Sequence, residues 1–544
     1  MAQLQSPLTH TARRVRTPVP HAVDVAIIGC GLGGLQAGAL LTAAGVRVAL
    51  FDGHYVAGGC ATMFERGRSE ARYRFDVGLH YIGDCGPTGQ IPRLLARSGV
   101  QLQYAALDPD GFDTLVLPDF RFRIPVGHEA YRQRLINMFP QEKKGIDRYV
   151  SFLLEVDRVQ RGMEKSGGKM TVRSVMQLLV HGRQVARFKD ATVSQLLDTC
   201  TQDPQLRAVM LGQSGDYGVA PSQASAVLHA GLANHYFQGA YYPVGGGQVI
   251  ADRLSERIEA GGGTIHLRKA VTRIRVQGRA VAGVELDDGQ LVQAAKVVSN
   301  ADIKRTLLEL IGPAQLPGEW LTRARSWQMG GALSLTCVGV AKDLRKDGLT
   351  ASNYWQFDSY DVDSFYRSQG VDGHPDPRGC YVTSACMKDP ETQGHAPDGV
   401  IGMEIMALVP ASPEAWGVTA EEVASGHYRK NPEYMARKQR LEDNMLARLE
   451  HLFAGSREAV VFKETATPLS HSRFTGASDG TGYGLAAIPS QFMQHRPGYR
   501  GPLQGLYFAG ASTRAGHGIV GALTGGTRAA ERVALDLART LAAP

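Results

Sequence analysis

Residues 23–52 read VDVAIIGCGLGGLQAGALLTAAGVRVALFD, and the fold class follows from the order of the parts. Val23 to Ile28 predicts a short apolar strand of the kind found in parallel sheets that are covered on both faces. Leu35 to Ala44 predicts a helix, Val46 to Phe51 predicts a second strand, and Asp52 closes that strand. A strand, a glycine loop, a helix, a strand and an acid in this order indicate a βαβ unit that binds a dinucleotide.

The glycines of this loop have separate physical tasks. Gly29 allows the tight turn, Gly31 lets the backbone approach a pyrophosphate, and Gly34 lets the helix pack close to the sheet. The N-terminus of the helix offers free N–H groups and a positive dipole end to the phosphates. Asp52 lies eighteen residues beyond Gly34, where an acid accepts hydrogen bonds from ribose hydroxyls.

The dinucleotide is predicted to be FAD. The segment DGHYVAGGCATMF places Gly58 and Gly59 shortly after the acid. This extension resembles the FAD-binding proteins of the glutathione-reductase type, whereas nicotinamide dehydrogenases do not generally show it. No second glycine fingerprint follows an apolar strand, so NAD(P)H is expected only as a transient external reductant without a Rossmann domain of its own.

Two later stretches are expected to return to the cofactor. Leu506 to Ala509 predicts a strand, and a helix is predicted from about Val520, with its positive end near the flavin pyrimidine. The alternative for this stretch is an ordinary C-terminal βα unit. Between Tyr241 and Asp302 the pattern predicts a helix at Gln248–Ala260 and strands at 264–267, 271–276, 280–286 and 290–298. The residues predicted to contact FAD are Gly29, Gly31, Leu32, Gly33, Gly34, Asp52, Gly58, Gly59, Cys60, Ala61, Gly78, Leu79, Val271, Gly510, Ala511, Gly518, Ile519 and Val520.

The composition of the chain excludes several classes of partner and binding site. The chain has 544 residues, 43% hydrophobic and 20% charged, which is the balance of a globular protein of two or three domains. Its net charge of +7 includes no long basic block and aromatic residues are only 7%, so no nucleic-acid partner is expected. The seven cysteines form no Cys-x-x-Cys pair, which predicts reduced thiols, no metal site and a cytoplasmic location.

The cofactor elements divide the chain into discontinuous domains. Residues 1–20 are expected to form a flexible arm. The predicted FAD-binding domain comprises 21–91, 241–326 and 468–544, and the predicted substrate and helical domain comprises 92–240 and 327–467. In the latter, ALSLTCVGVAKDL and VIGMEIMALVP alternate like strands that face a cavity, and Tyr354 to Asp363 is interpreted as a polar connector.

The segment Thr171 to Asp190 supports two hypotheses. Val172, Val175, Met176 and Leu179 fall on one helical stripe, and basic residues lie around them. One hypothesis is an interfacial helix on an anionic membrane, through which an apolar substrate would enter. The other is a helix that covers the substrate domain.

The same stretches resemble the flavoprotein group of phytoene desaturases, carotenoid isomerases and retinol saturases. YPVGGG, VVSNAD and LYFAGASTRAGHGIVGAL are typical of the group, whereas GGCATMF with FDVGLHYIG, FPQEKKGIDRY and GDYGVAPSQASAVLHAGLANHYFQGAYYP look closest to retinol saturase-like bacterial FAD oxidoreductases. Two positions depart from the pattern. Asp52 stands where the group usually has Glu, and Ala511 follows Gly510 where an Asp would contact the ribityl chain.

The resemblance implies an α/β fold with a glutathione-reductase-type Rossmann domain, a discontinuous α+β substrate domain and a helical part that faces a membrane in one hypothesis. It implies an FAD-dependent oxidoreductase that reduces C=C bonds of an apolar conjugated polyene. Ring closure of a polyene natural product such as a tetramate macrolactam is a variant of this activity. The alternatives are a desaturase or cis–trans isomerase, and a non-enzymatic flavin- or lipid-binding protein.

Two His–Tyr pairs stand in apolar surroundings and are candidate proton donors. They are His80 with Tyr81 in GLHYIG and His235 with Tyr236 in NHYFQGAYYP. We expect both pairs to line one apolar cavity above the flavin, since reduction of a polyene needs an acid there. The alternative is that they only satisfy backbone groups beside neighbouring glycines. Further candidate catalytic residues are Asp216 and Tyr217.

Overall fold

A seven-stranded sheet carries the nucleotide-binding motif in the computed structural model, which describes residues 17–68, 71–165, 182–368 and 373–541. Its strands are, in spatial order, Thr264–Leu267, Val48–Asp52, Ala22–Ile28, Leu291–Ser299, Ala280–Leu286 and Val271–Gln277, with Leu506–Phe508 also paired to Leu291–Ser299. The first four strands and Leu506–Phe508 are parallel, and the other two are antiparallel. The predicted strands at 264–267 and 280–286 are confirmed, and the others shift by one or two residues.

The first helix, Leu32–Ala43, begins three residues earlier than predicted, because Gly31 already has the extended conformation of an N-cap. Apart from Leu40 and Ala43, its residues are buried, since it packs between the sheet and the helices Gln248–Ala260 and Gly518–Leu541. The bounds predicted for Gln248–Ala260 are confirmed. The C-terminal helix begins two residues before the predicted Val520.

The second seven-stranded sheet has the order Val460–Ala466, Leu333–Val340, Ile401–Leu408, Gly379–Thr383, Asn353–Phe357, Asp113–Val116 and Arg121–Ile124. Its strands are antiparallel except for the pair formed by Asn353–Phe357 and Asp113–Val116. The interpretation of Tyr354 to Asp363 as a polar connector is wrong at its start. Asn353–Phe357 is a buried strand, because its aromatic residues suit a sheet and the core binds the polar side chains of Asn353 and Gln356.

Helices cover this sheet and surround it. Those of residues 128–237 are His128–Met138, Lys143–Lys165, Arg183–Phe188, Val193–Asp198, Pro204–Met210 and Ala226–Phe237. The other α-helices are Gln90–Ala96, Ile303–Arg305, Gly318–Ser326, Ala385–Lys388, Ala420–Ser425, Pro432–Leu452 and Pro468–Thr475. Ile303–Arg305 continues into the π-helical turn Thr306–Ile311. Within the described ranges, no helix is long and apolar enough to cross a bilayer.

Most of the candidate membrane segment, residues 171–181, lies outside the described residues, as do residues 1–16 of the arm. In the described remainder, Val185 and Phe188 are buried in the helix Arg183–Phe188. The Glu155 carboxylate accepts hydrogen bonds from the Gln184 and Val185 N–H groups, which attaches this helix to Lys143–Lys165.

Two small sheets join the large ones. Met63–Arg66 pairs with Tyr73–Asp76, and Ala240–Pro243 pairs with both Ile82–Gly83 and Tyr104–Ala106. The chain from Val77 to Tyr81 therefore runs between the two large sheets as a turn. Tyr81 contacts Asp113 of the second large sheet and Tyr236 of the helix Ala226–Phe237.

Candidate active site

The nucleotide-binding loop closes around Asn300, which follows the strand Leu291–Ser299. A Cβ atom at Gly33 would lie 2.5 Å from Asn300 Oδ1 and 2.7 Å from the Gly510 nitrogen. A Cβ at Gly31 would lie 2.8 Å from Asn300 Nδ2, and one at Gly34 would lie 2.1 Å from the Gly29 oxygen. Because even one carbon would not fit, the backbone stays bare beside the start of the helix, as a pyrophosphate requires.

Asp52 lies at the edge of this cradle. Its Oδ2 accepts from the Cys30 N–H at 2.6 Å, and its Oδ1 accepts from the His54 N–H at 2.8 Å. Each carboxylate oxygen has a further lone pair, which suits ribose hydroxyls. The Lys269 N–H donates to the Asp52 carbonyl at 2.9 Å, so the strand that begins at Val271 starts beside the acid.

The second glycine pair packs on the first loop. The Gly58 N–H donates to the Cys30 carbonyl at 2.8 Å, and a Cβ at Gly59 would lie 3.1 Å from the Gly31 Cα. A Cβ at Gly78 would lie 3.0 Å from the carbonyl oxygen of Cys60, in the 3-10 turn Gly59–Ala61. The structure thus brings these predicted residues together. The side chains of three others are buried among core residues, which leaves their backbones to meet a ligand: Leu32, Ala61 and Leu79.

The C-terminal elements approach from the other side. Ala509 donates to the Ser299 carbonyl at 2.9 Å, and a Cβ at Gly510 would lie 2.5 Å from Asn300 Oδ1. Ala511 follows in the loop that leads to Gly518, and Ile519 and Val520 form the first turn of the C-terminal helix. The residues fit FAD, since two glycine pairs, an acid and a helix N-terminus surround a bare backbone cradle.

Tyr81, Tyr236, Asp216 and Asp113 form an acidic cluster beside the second large sheet, to which Asp113 belongs. The Tyr81 hydroxyl lies 2.7 Å from Asp216 Oδ2 and 3.1 Å from Asp113 Oδ2. The rings of Tyr81 and Tyr236 are stacked, with centroids 4.3 Å apart. Three of the six predicted catalytic residues therefore meet, and they meet around Asp113, which the sequence analysis missed.

The carboxyls of Asp113 and Asp216 are both weaker acids than an ordinary aspartic acid side chain. Burial raises the pKa of Asp113 to about 6, against the effect of the amides that bind it. Burial and the nearby Asp113 charge raise the pKa of Asp216 to about 7. A group with such a pKa can hold a proton near neutral pH and release it during a reaction.

The other three predicted catalytic residues lie elsewhere. His80 Nδ1 is 2.9 Å from Glu404 Oε2, and His235 Nε2 accepts from the Gly83 N–H at 2.8 Å. The Tyr217 hydroxyl is 3.4 Å from His229 Nδ1 in a separate buried cluster. His235 thus satisfies a backbone group beside a glycine, as the alternative predicted, whereas the catalytic role of His80 stays a prediction. The Gly83 N–H occupies the His235 lone pair, and burial lowers the pKa of His235 to about 4.

A second charged network contains His80 and lies beside the acidic cluster. The Asp76 N–H donates to Glu404 Oε1 at 2.8 Å, and the Tyr242 hydroxyl donates to the Asp76 carboxylate. Lys388 donates to the His80 carbonyl, and burial lowers the pKa of Lys388 to about 8. These residues could have been found as charged side chains within apolar runs such as IGMEIMAL.

A short series of contacts connects the acidic cluster to the cofactor elements. The Tyr483 hydroxyl donates to the Gly215 carbonyl at 2.7 Å, next to Asp216. The Tyr483 ring meets the His517 ring edge-on, with centroids 5.7 Å apart. His517 directly precedes the C-terminal helix and hydrogen-bonds to the Asp216 backbone. The acidic cluster thus lies near the start of the C-terminal helix.

Curated relatives span nearly the same length as this chain. The all-trans-retinol 13,14-reductases of Danio rerio and Homo sapiens are 27% and 28% identical to it, over 93% of this chain and 85% of theirs. A chloroplastic prolycopene isomerase of an Oncidium hybrid cultivar is 24% identical, over 96% of this chain and 85% of its own. These relatives confirm the resemblance to the retinol saturase and carotenoid isomerase group.

Solved structures share the fold. An oxidoreductase from Methanosarcina mazei superposes with a TM-score of 0.60 at 18% identity, over 93% of this chain and 99% of its own. Cyclohexylamine oxidase from Brevibacterium oxydans gives a TM-score of 0.57 at 16% identity, over 95% and 99% of the two chains. The family model for flavin-containing amine oxidoreductases matches residues 32–399 and 403–534. The chain therefore belongs to the flavin-containing amine oxidoreductase family and has its FAD-binding α/β fold.

Proposed function

We propose that this flavoenzyme reduces a C=C bond of an apolar conjugated polyene. The observation that carries the proposal is the acidic cluster of Tyr81, Asp113 and Asp216, in which Tyr81 and Asp113 are buried and which lies near the start of the C-terminal helix. Reduction of an alkene needs one hydride and one proton, and this cluster can hold the proton in an apolar setting. The similarity to proteins named all-trans-retinol 13,14-reductase supports the same direction of reaction.

The roles of the residues follow from their positions. The loops at Gly29–Gly34, Gly58–Gly59 and Gly510 would hold FAD, and Asp52 would bind its ribose. When bound, FAD supplies two-electron hydride chemistry. The acidic cluster delivers a proton to the alkene carbon that does not receive the hydride. In the ring-closing variant, the substrate carbanion attacks a second carbon before the proton arrives.

Electrons would come from outside the chain. NAD(P)H is the proposed reductant, and it would approach the flavin transiently. We retain the desaturase and isomerase alternatives as outcomes of the test, because prolycopene isomerases are among the relatives.

The test is an anaerobic half-reaction. The protein is purified with its FAD, the flavin is reduced, and the enzyme is mixed with retinol, a carotene or a polyene macrolactam. Bleaching of the polyene absorbance together with flavin reoxidation is the expected result. Reduction of oxidised flavin by a more saturated substrate would instead identify a desaturase, and a change of isomer without net flavin oxidation would identify an isomerase.

A further inference from the structure

Tyr81 has one hydroxyl hydrogen but two carboxyl neighbours. Its oxygen lies 2.7 Å from Asp216 Oδ2 and 3.1 Å from Asp113 Oδ2. A phenol donates one hydrogen bond and accepts others, whereas an ionised carboxyl only accepts. If both carboxyls were ionised, the single hydroxyl hydrogen of Tyr81 could be donated to only one of them. The other contact would then join two oxygens with no hydrogen between them. The geometry requires a second hydrogen, and one of the two carboxyls must carry it.

The neighbours of Asp113 identify it as the ionised member. Its Oδ2 accepts from Gln213 Nε2 at 2.7 Å, and its Oδ1 accepts from Asn353 Nδ2 at 2.8 Å. The orientation of the Asn353 amide is set by Thr383, whose hydroxyl donates to Asn353 Oδ1 at 2.7 Å. Both oxygens of Asp113 thus face N–H donors, which stabilise the carboxylate.

The surroundings of Asp216 are different. Its carboxyl contacts the hydroxyl of Tyr81, on whose ring the ring of Tyr236 stacks, and phenols can accept as well as donate. Within the described residues, the titratable groups facing Asp216 are Asp113, His517 and the phenols of Tyr81, Tyr217, Tyr236, Tyr366, Tyr381 and Tyr483. None of these is a cation, since burial lowers the pKa of His517 to about 3.

We propose that Asp216 is the acid that protonates the substrate, and that Asp113 is a positioning carboxylate that keeps the proton on Asp216 through Tyr81. In this arrangement Asp216 donates to Tyr81, and Tyr81 donates to Asp113. The shorter of the two contacts is the one between Asp216 and Tyr81, as expected for a carboxylic acid donor.

The chemical step rests on the proposed function. A hydride adds to one alkene carbon, with its two electrons supplied by the reduced flavin. The O–H bond of Asp216 breaks and a C–H bond forms at the other reacting carbon of the polyene. Asp216 is left as a carboxylate, and a proton from solvent restores the acid before the next turnover.

Infrared spectroscopy tests the assignment of the proton without any turnover. A buried protonated carboxyl has a C=O stretching band that disappears when the group ionises. Between about pH 6 and pH 7, where Asp76 and Asp113 are mostly ionised, we expect such a band in the wild type, in Asp76→Asn and in Asp113→Asn, and its absence in Asp216→Asn. In Asp113→Asn the band should vanish at lower pH than in the wild type, because the like charge beside Asp216 is gone. A band that survives Asp216→Asn but is lost in Asp113→Asn or Asp76→Asn would overturn the proposal.

Single-turnover kinetics test the catalytic role, after FAD content has been verified in each variant. Asp216→Asn should bleach the polyene about 100- to 10,000-fold more slowly, with flavin reduction by the external donor unchanged. In the wild type the bleaching rate should fall as pH rises through about 7, because the acid form is required, and this dependence should be lost in Asp216→Asn. A wild-type rate in Asp216→Asn would reject the acid role and leave the proposed function standing. A wild type that has the infrared band but reduces no polyene would reject the proposed function instead.

Discussion

At Gly33 the backbone leaves no room for a side chain, and this single position shows how the cofactor cradle is built. A Cβ atom there would collide with both Asn300 and Gly510, so three separate parts of the chain meet at this point. The glycine pattern alone explains the approach to a pyrophosphate. The structure adds that the glycines also admit Asn300, which belongs to the VVSNAD motif.

We predict that Gly33→Ala weakens FAD binding by about 10- to 100-fold, since overpacking a close contact costs about 1–3 kcal/mol. FAD content and affinity after gel filtration measure the effect. Gly318→Ala is the matched control, because a Cβ at Gly318 would meet nothing within 4 Å. Full FAD occupancy in Gly33→Ala would show that the cradle can relax around a methyl group.

His235 is predicted to act on stability rather than on chemistry. His235→Leu removes the acceptor of the Gly83 N–H and should lower the free energy of unfolding by about 1–3 kcal/mol. His235→Gln, whose amide oxygen can accept, should recover part of this loss. Denaturant unfolding measures both variants, and polyene turnover per bound FAD should stay within a few fold. A large loss of turnover at normal stability would return His235 to the catalytic residues.

Among the elements, the 3-10 turn Ser214–Tyr217 connects the acidic cluster to the residues before the C-terminal helix. Its Gly215 carbonyl accepts from Tyr483, and its Asp216 carboxyl contacts Tyr81. A Cβ at Gly215 would lie 2.4 Å from the Trp355 ring, so this turn packs on the strand that begins at Asn353. A short 3-10 turn thus places an acid beside the second large sheet.

The membrane hypothesis also concerns one element, the segment Thr171 to Asp190. If its apolar stripe enters a lipid surface, Leu179→Glu should abolish flotation with anionic liposomes at low salt, and high salt should weaken the binding of the wild type. Gln177→Glu makes the same charge change away from the stripe and should retain most binding. No flotation of the wild type at low salt would favour the helix that covers the substrate domain.

Across the molecule, the network of Asp76, His80, Glu404 and Lys388 joins the second large sheet to the segment that carries Tyr81. Glu404 belongs to the second sheet, whereas Asp76 and His80 lie on the segment that connects back to the first. Lys388 is a buried cation among three carboxylates: Asp76, Asp113 and Glu404. Buried charges are tolerated here because each has a partner.

Lys388→Met should therefore destabilise the protein by about 3–5 kcal/mol, since it leaves buried carboxylates without their cation. The loss should be largest between about pH 6 and pH 8, where Lys388 is charged in the wild type and Asp76 is ionised, and smaller below pH 6. Burial raises the pKa of Asp76 to about 6, so protonation of this carboxyl below that pH relieves the unpaired charge. Lys346→Met, at an exposed position, is the control. Equal stability of the two variants in urea at about pH 7 would mean that the network does not depend on Lys388.

The FAD-binding half could be predicted from the sequence because its signals are local. The glycine loop, the first helix and the strands at 264–267 and 280–286 depend on residues close in the chain, where turn geometry and hydrophobic period act directly. Asp113 could not be found in this way, since one acid at the start of an apolar strand acquires a role only when Tyr81 and Asp216 meet it. The role of each histidine could not be predicted for the same reason, because the groups that contact the ring nitrogens of His80 and His235 lie more than 150 positions away in the chain. The nucleotide fold was thus determined by local sequence, whereas the identity of the acid was decided by long-range packing, which sets burial and hydrogen-bond partners.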